Sequence, residues 1–199
     1  CPITYNILRS TASGSGYSTL ATGISGTTYS DATVVNGTTY YYVVQATSVG
    51  GTSANSNEAS ARPISNFGIA SVTVNGGSAL EVSWGNATGA SSYTLKYGTS
   101  SGIYGTTVSA NATSPTTVSS LTPGTTYYFM VTANNSVGSG NNVNANAEIS
   151  GIPLGAFTIS SVTQPGSAQA SVSFGSSTGS ASYTLKYGTS SGSYPTNFS

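Results

Sequence analysis

The run Leu121-Thr122-Pro123-Gly124-Thr125-Thr126-Tyr127-Tyr128-Phe129-Met130-Val131-Thr132-Ala133 decides how the rest of the chain is read. It opens on a Pro-Gly turn and continues with strict alternation. Tyr127, Phe129, Val131 and Ala133 fall on one face of a strand, and Tyr128, Met130 and Thr132 on the other. A near copy, Val35-Asn36-Gly37-Thr38-Thr39-Tyr40-Tyr41-Tyr42-Val43-Val44-Gln45-Ala46, places Tyr40 87 residues before Tyr127.

The repetition extends outward from this strand. Ser92-Tyr93-Thr94-Leu95-Lys96-Tyr97-Gly98-Thr99-Ser100-Ser101-Gly102 recurs 90 residues later as Ser182-Tyr183-Thr184-Leu185-Lys186-Tyr187-Gly188-Thr189-Ser190-Ser191-Gly192. A looser copy, Thr4 to Gly14, lies 88 residues earlier. A period of this size is that of one small β-sandwich and is too long for a solenoid. The pattern Leu-x-Pro-Gly-Thr-x-Tyr-x-Phe-x-Val-x-Ala resembles strand F of the fibronectin type III family and the turn before it. The resemblance covers the whole chain and is strongest for its middle. It implies an all-β fold of tandem antiparallel β-sandwiches, one complete and two partial, of a bacterial-type secreted or surface protein.

On this reading residues 1–63 supply strands C to G. Strand C is centred on Tyr5 and Ile7, C′ spans Tyr17 to Ala21, E Thr27 to Ser30, F Tyr40 to Ala46 and G Ser53 to Ala61. Residues 64–153 form a complete unit. Its strands are A (Gly68 to Val74), B (Ala79 to Trp84), C (Ser92 to Tyr97), C′ (Tyr104 to Ser109), E (Ser114 to Leu121), F (Thr125 to Ala133) and G (Asn142 to Ile149). Turn signals such as Asn75-Gly76-Gly77 separate them, and no helical period appears. Residues 154–199 supply A (Ala156 to Val162), B (Gln169 to Phe174), C (Ser182 to Tyr187) and the start of C′ near Tyr194. The expected structural core is Trp84, Tyr93, Leu95, Tyr127 and Phe129, with Phe174 taking the Trp84 position in the last unit. Neither end unit closes a sandwich by itself. Strand partners are expected from further repeats or from a neighbouring copy, and strand C present at both ends favours further repeats.

Composition narrows the function. Only 4% of the 199 residues are charged, and they balance: Arg9, Arg62, Lys96 and Lys186 against Asp31, Glu58, Glu81 and Glu148. Such a surface has no electrostatic footprint for nucleic acid and no charge-driven hold on a membrane. No apolar run is long enough to span a bilayer. Solubility rests on Ser, Thr, Asn and Gly, which suits an extracellular or cell-surface setting. Cys1 is the single cysteine, so no disulfide within the chain staples the fold. Cys1-Pro2 fits either the lipid-bearing first residue of a bacterial lipoprotein or a chain that begins partway through a longer one, and the closeness of strand C favours the second.

Candidate chemistry is sparse. Without histidine the Ser-His-acid route and histidine-based zinc binding are closed. Glu81 and Glu148 read as solvated residues on outer faces. Asp31 and Glu58 alone do not make a calcium site. No catalytic, cofactor or metal site is expected. Tyr40 and Tyr127 resemble the family's tyrosine corner, a structural device. Tyr41 and Tyr128 point away from the core and are the candidates for stacking on a sugar or a partner module. Asn36, Asn86, Asn111, Asn134 and Asn197 begin N-glycosylation sequons. Roughly five such sequons are expected by chance at this Asn, Ser and Thr content, so the match carries no weight. The expected function is non-enzymatic: a structural or adhesive segment of an extracellular stalk or fibre. Its partners would be adjacent repeats or neighbouring copies. The alternative is a spacer or carbohydrate-binding region of a secreted polysaccharide-degrading enzyme.

Overall fold

A computed structural model describes residues 3–137, 142–143 and 148–198, and every strand pair in it is antiparallel. The first unit holds β1 (Thr4–Ser10), β2 (Ser18–Ile24), β3 (Tyr40–Ser48), β4 (Gly51–Thr52) and β5 (Ala59–Ala61) in one sheet ordered β2-β1-β3-β4, with β5 also on β3. Strands β4 and β5 divide what the alternation predicts as one strand G. The gap has its cause in the neighbouring strand. Ser53 Oγ and Ser56 Oγ accept the Ala46 and Val44 amides of β3, each at 2.9 Å, so side chains take over part of the ladder. Thr27 to Ser30, expected as strand E, is not a strand. In the middle unit strand E pairs with strand B, and the first unit offers no such partner among the described residues.

The middle unit has two sheets. One is β10 (Thr116–Val118), β7 (Leu80–Trp84) and β6 (Ile69–Val74), in that order. The other runs β12 (Asn142–Val143), β11 (Tyr127–Asn134), β8 (Ser92–Gly98), β9 (Thr106–Ser109), with β13 (Ile149–Gly151) also on β11. In the sandwich letters these are E-B-A and G-F-C-C′. Strand G, expected over Asn142 to Ile149, is described only at β12 and β13; residues 144–147 lie outside the described residues. Strand C′ begins at Thr106, because Tyr104 turns its hydroxyl to another task described below.

Register follows from the pleat. Phe129 sits opposite Tyr97 and Val131 opposite Leu95, so the apolar sides of β11 and β8 share one face. Across from them come Leu80, Val82 and Trp84 of β7, and Ile69, Val118 and Leu121 complete the cluster. Phe129, Leu95, Leu80, Val82 and Val131 are fully buried, each such side chain contributing about 1.5–3 kcal/mol. Trp84 is buried at 5% exposure, its ring 6.0 Å from that of Tyr93.

The last unit pairs β14 (Ile159–Thr163) with β15 (Ser171–Phe174) and β16 (Leu185–Tyr187) with β17 (Thr196–Phe198). Phe174 stands opposite Ile159 as Trp84 stands opposite Ile69, so it takes the Trp84 position. It makes ring contacts with Phe157 and Tyr183 at 6.3 and 5.2 Å, yet it is 42% exposed. Trp84 belongs to the cluster that Phe129, Val131 and Ala133 of strand F help to build, and among the described residues the last unit has no strand in that place.

Candidate functional site

Three of the four acids are tied into hydrogen bonds, and two are tied in the same way. Glu58, just before β5, accepts from Ser13 Oγ at 2.8 Å, from the Gly14 amide at 2.7 Å and from the Tyr17 hydroxyl. Glu148, just before β13, accepts from the Gly102 amide at 2.7 Å, from the Tyr104 hydroxyl at 2.6 Å and from the Ser101 side chain. Each carboxylate therefore fastens the C–C′ turn to strand G. Hydrogen bonds from Ser101, then Tyr104 and the Gly102 amide, lower the Glu148 carboxyl. Those from Tyr17, then Gly14 and Ser13, lower that of Glu58. Burial and then the Glu148 hydrogen bond push the Tyr104 phenol up to about 12. Glu148 is thus a half-buried fastener, not the solvated residue expected. The signal was present in the chain: two glutamates 90 residues apart, each with a Ser-Gly-x-Tyr or Ser-Gly-x-x-Tyr turn upstream.

A second cluster lies on the inner face of the first sheet. Arg9 Nη1 is 2.7 Å from Asp31 Oδ2 and 4.7 Å over the Tyr40 ring. Asp31 also accepts from the Tyr42 hydroxyl at 2.9 Å and from Thr33 Oγ1 and the Thr33 amide at 2.7 and 2.9 Å. Burial alone would raise the Asp31 carboxyl. The Thr33 hydrogen bonds, then those of Arg9 and Tyr42, overcome that and hold it down at about 2. By the repeat, Arg9 stands where the middle unit has Tyr97 and Asp31 where it has Val118. An ion pair thus replaces two packed side chains, and the Arg9–Tyr40 contact replaces the 5.6 Å edge-on contact of Tyr97 with Tyr127.

The tyrosine corners form at both strands F. The Thr122 amide donates to the Tyr127 hydroxyl at 3.0 Å, and the Val35 amide to that of Tyr40 at 3.1 Å. Tyr41 and Tyr128 are half-buried. Of the sequon asparagines, Asn36, Asn86, Asn111 and Asn197 are exposed, whereas Asn134 is half-buried and donates to Thr94 Oγ1 at 3.0 Å. Asn86 and Asn111 come together. With Trp84, Ser92, Tyr93 and Ser114 they line a cleft of about 380 Å³. The Trp84 indole Nε1 is buried without a hydrogen-bond partner. Among the described residues no three His, Cys, Asp or Glu side chains gather where a metal could sit. No helix of the described residues is long and apolar enough to cross a membrane.

Two packed antiparallel sheets, ordered E-B-A and G-F-C-C′ and pinned by a tyrosine corner, define an immunoglobulin-like β-sandwich. Residues 64–149 match the family model for the fibronectin type III domain, and the stretches before and after repeat the sequence pattern of that unit. Domains of this kind are in general non-catalytic modules of structural or adhesive type, common in extracellular and surface proteins. Among solved structures, the chicken CNTN1 FN1-FN3 domains are similar, with 20% identity and a TM-score of 0.39. That match covers 76% of this chain and 54% of the other, so the chain spans about half the length of that structure. No curated protein matches the chain.

Proposed function

We propose that the chain is a structural and adhesive segment of an extracellular or cell-surface stalk or fibre, of bacterial type, built from tandem β-sandwich repeats. The supporting observation is where the acids go. Asp31, Glu58 and Glu148 each hold strands or turns of their own unit together, and Glu58 and Glu148 do it identically in successive units. Side chains committed in that way hold a scaffold and leave no acid paired across a cleft. Partners on this reading are adjacent repeats and neighbouring copies along the fibre. Immunogold labelling of the source cells with an antibody against the middle unit tests it. Label along filaments or at the envelope is the expected result. Label confined to soluble secreted material that co-purifies with polysaccharide hydrolysis would overturn it in favour of an enzyme spacer.

One observation favours a second reading, contact with polysaccharide. The cleft joins the edge of the Trp84–Tyr93 aromatic pair to the Asn86 and Asn111 amides and the Ser92 and Ser114 hydroxyls. Trp84 is the only tryptophan, so its emission reports this site alone. A saturable emission change with a neutral oligosaccharide such as cellohexaose or chitohexaose, lost in Asn111→Ala, would support sugar binding there. A flat titration with every such sugar would remove it.

A further inference from the structure

The two boundaries between units are built from the same parts. At the first, the Gly37 amide donates to the Pro63 carbonyl at 2.8 Å. At the second, the Gly124 amide donates to the Pro153 carbonyl at 3.0 Å. In each case the glycine ends the E–F turn of one unit and the proline closes the linker. The B–C turn of the following unit then lies across both. A Cβ on Gly89 would run into the Pro63 carbonyl oxygen and come within 3.0 Å of the Gly37 nitrogen. A Cβ on Gly179 would meet the Pro153 oxygen at 3.0 Å and the Gly124 nitrogen at 3.1 Å. The contact is reciprocal. A Cβ on Gly37 would stand 3.1 Å from Thr88 Cγ2, and one on Gly124 2.9 Å from Thr178 Cγ2. All four glycines have positive φ, between 77° and 94°. So a Thr-Gly turn and a Gly turn meet backbone to backbone, with no room for a side chain.

The B–C turn is itself held in place. The Tyr93 hydroxyl accepts the Ala87 amide at 2.7 Å, and Tyr183 accepts the Ser177 amide at 2.7 Å. Each turn also pairs with the residues after the linker: the Ser65 amide donates to the Thr88 carbonyl at 2.9 Å and Gly155 to Thr178 at 2.8 Å. Further bonds cross the boundaries. Asn135 Nδ2 donates to the Arg62 carbonyl at 2.6 Å, and the Ser78 amide to the Leu154 carbonyl at 2.9 Å. Tandem domains with small polar contacts move relative to one another by default. Close backbone packing with paired hydrogen bonds opposes that motion.

We infer that the E–F glycine, the linker proline and the following Thr-Gly turn form one fixed joint, used at each boundary. Successive units then take the same relative orientation, and the chain is a stiff rod. The E–F turn and proline act as a socket whose partner is another repeat carrying a Thr-Gly B–C turn. This stands whether or not the chain belongs to a surface fibre. Pulsed electron–electron distance measurement tests it, on the full chain with Cys1→Ser. Spin labels on Thr19→Cys and Thr106→Cys read the first joint; labels on Thr106→Cys and Ser161→Cys read the second. Each pair is expected to give one narrow distance distribution. Asn135→Ala and Gly89→Ala should widen the first about twofold and leave the second unchanged. Trp84 emission shows that the middle unit stays folded, and if Gly89→Ala perturbs it, Asn135→Ala alone decides. Broad distributions in the parent chain would overturn the joint, as would a first distribution that stays narrow in Asn135→Ala.

Discussion

Two residues, Trp84 and Asp31, carry the clearest single-site consequences. Trp84→Ala removes a buried ring from the middle of the cluster and should cost about 3–5 kcal/mol, read by denaturant unfolding followed by circular dichroism. A loss well below that range would mean the cluster closes over the gap. Asp31 has a folded pKa of about 2 against an ordinary 3.8, so its carboxylate stabilises the fold fully above 3.8. That contribution disappears as pH falls from there through 2. In an NMR titration the Asp31 carboxyl should respond near pH 2. Asp31→Asn should remove this acid-dependent part of stability in the first unit. Trp84 was legible from its phase with Leu80 and Val82 alone. Asp31 was not, because its partners Arg9 and Tyr42 lie 22 and 11 residues away and nothing local marks them.

At the scale of strands and turns, alternation located nearly every element, since each apolar stripe has a sheet to face. What it missed had non-local causes. Thr27 to Ser30 has strand composition but no ladder partner among the described residues, and Ser53 and Ser56 interrupt strand G by bonding β3 through their side chains. The fastening of the C–C′ turn by Glu148 spans 44 to 46 residues, so no window of sequence holds both ends. That turn also depends on Gly98, where a Cβ would collide with the Ile103 carbonyl oxygen, just as one at Gly188 would collide with that of Ser193. Gly98→Ala should therefore destabilise the middle unit by about 1–3 kcal/mol, as overpacking does. Thermal melting followed by Trp84 emission measures it. An unchanged midpoint would show that the turn yields freely.

Across the whole molecule, protection should follow packing. The middle unit owns the buried cluster, whereas Ile159, Val162, Phe174 and Tyr183 of the last unit are 40–62% exposed. Hydrogen exchange of the full chain should be slowest in β7, β8 and β11 and fastest in β14 to β17. Equal protection in the two regions would contradict this packing. The near-identity of Ser92 to Gly102 and Ser182 to Gly192 has a consequence of another kind. Strand β11 pairs with β8, yet the last unit carries an almost indistinguishable competitor for that place. During synthesis β8 and β11 both emerge before residues 182–192 exist, so the native partner docks unopposed. A chain refolding from denaturant has no such order, and strand exchange between like units becomes a trap. The direction of translation then acts as proofreading that the finished sequence does not contain.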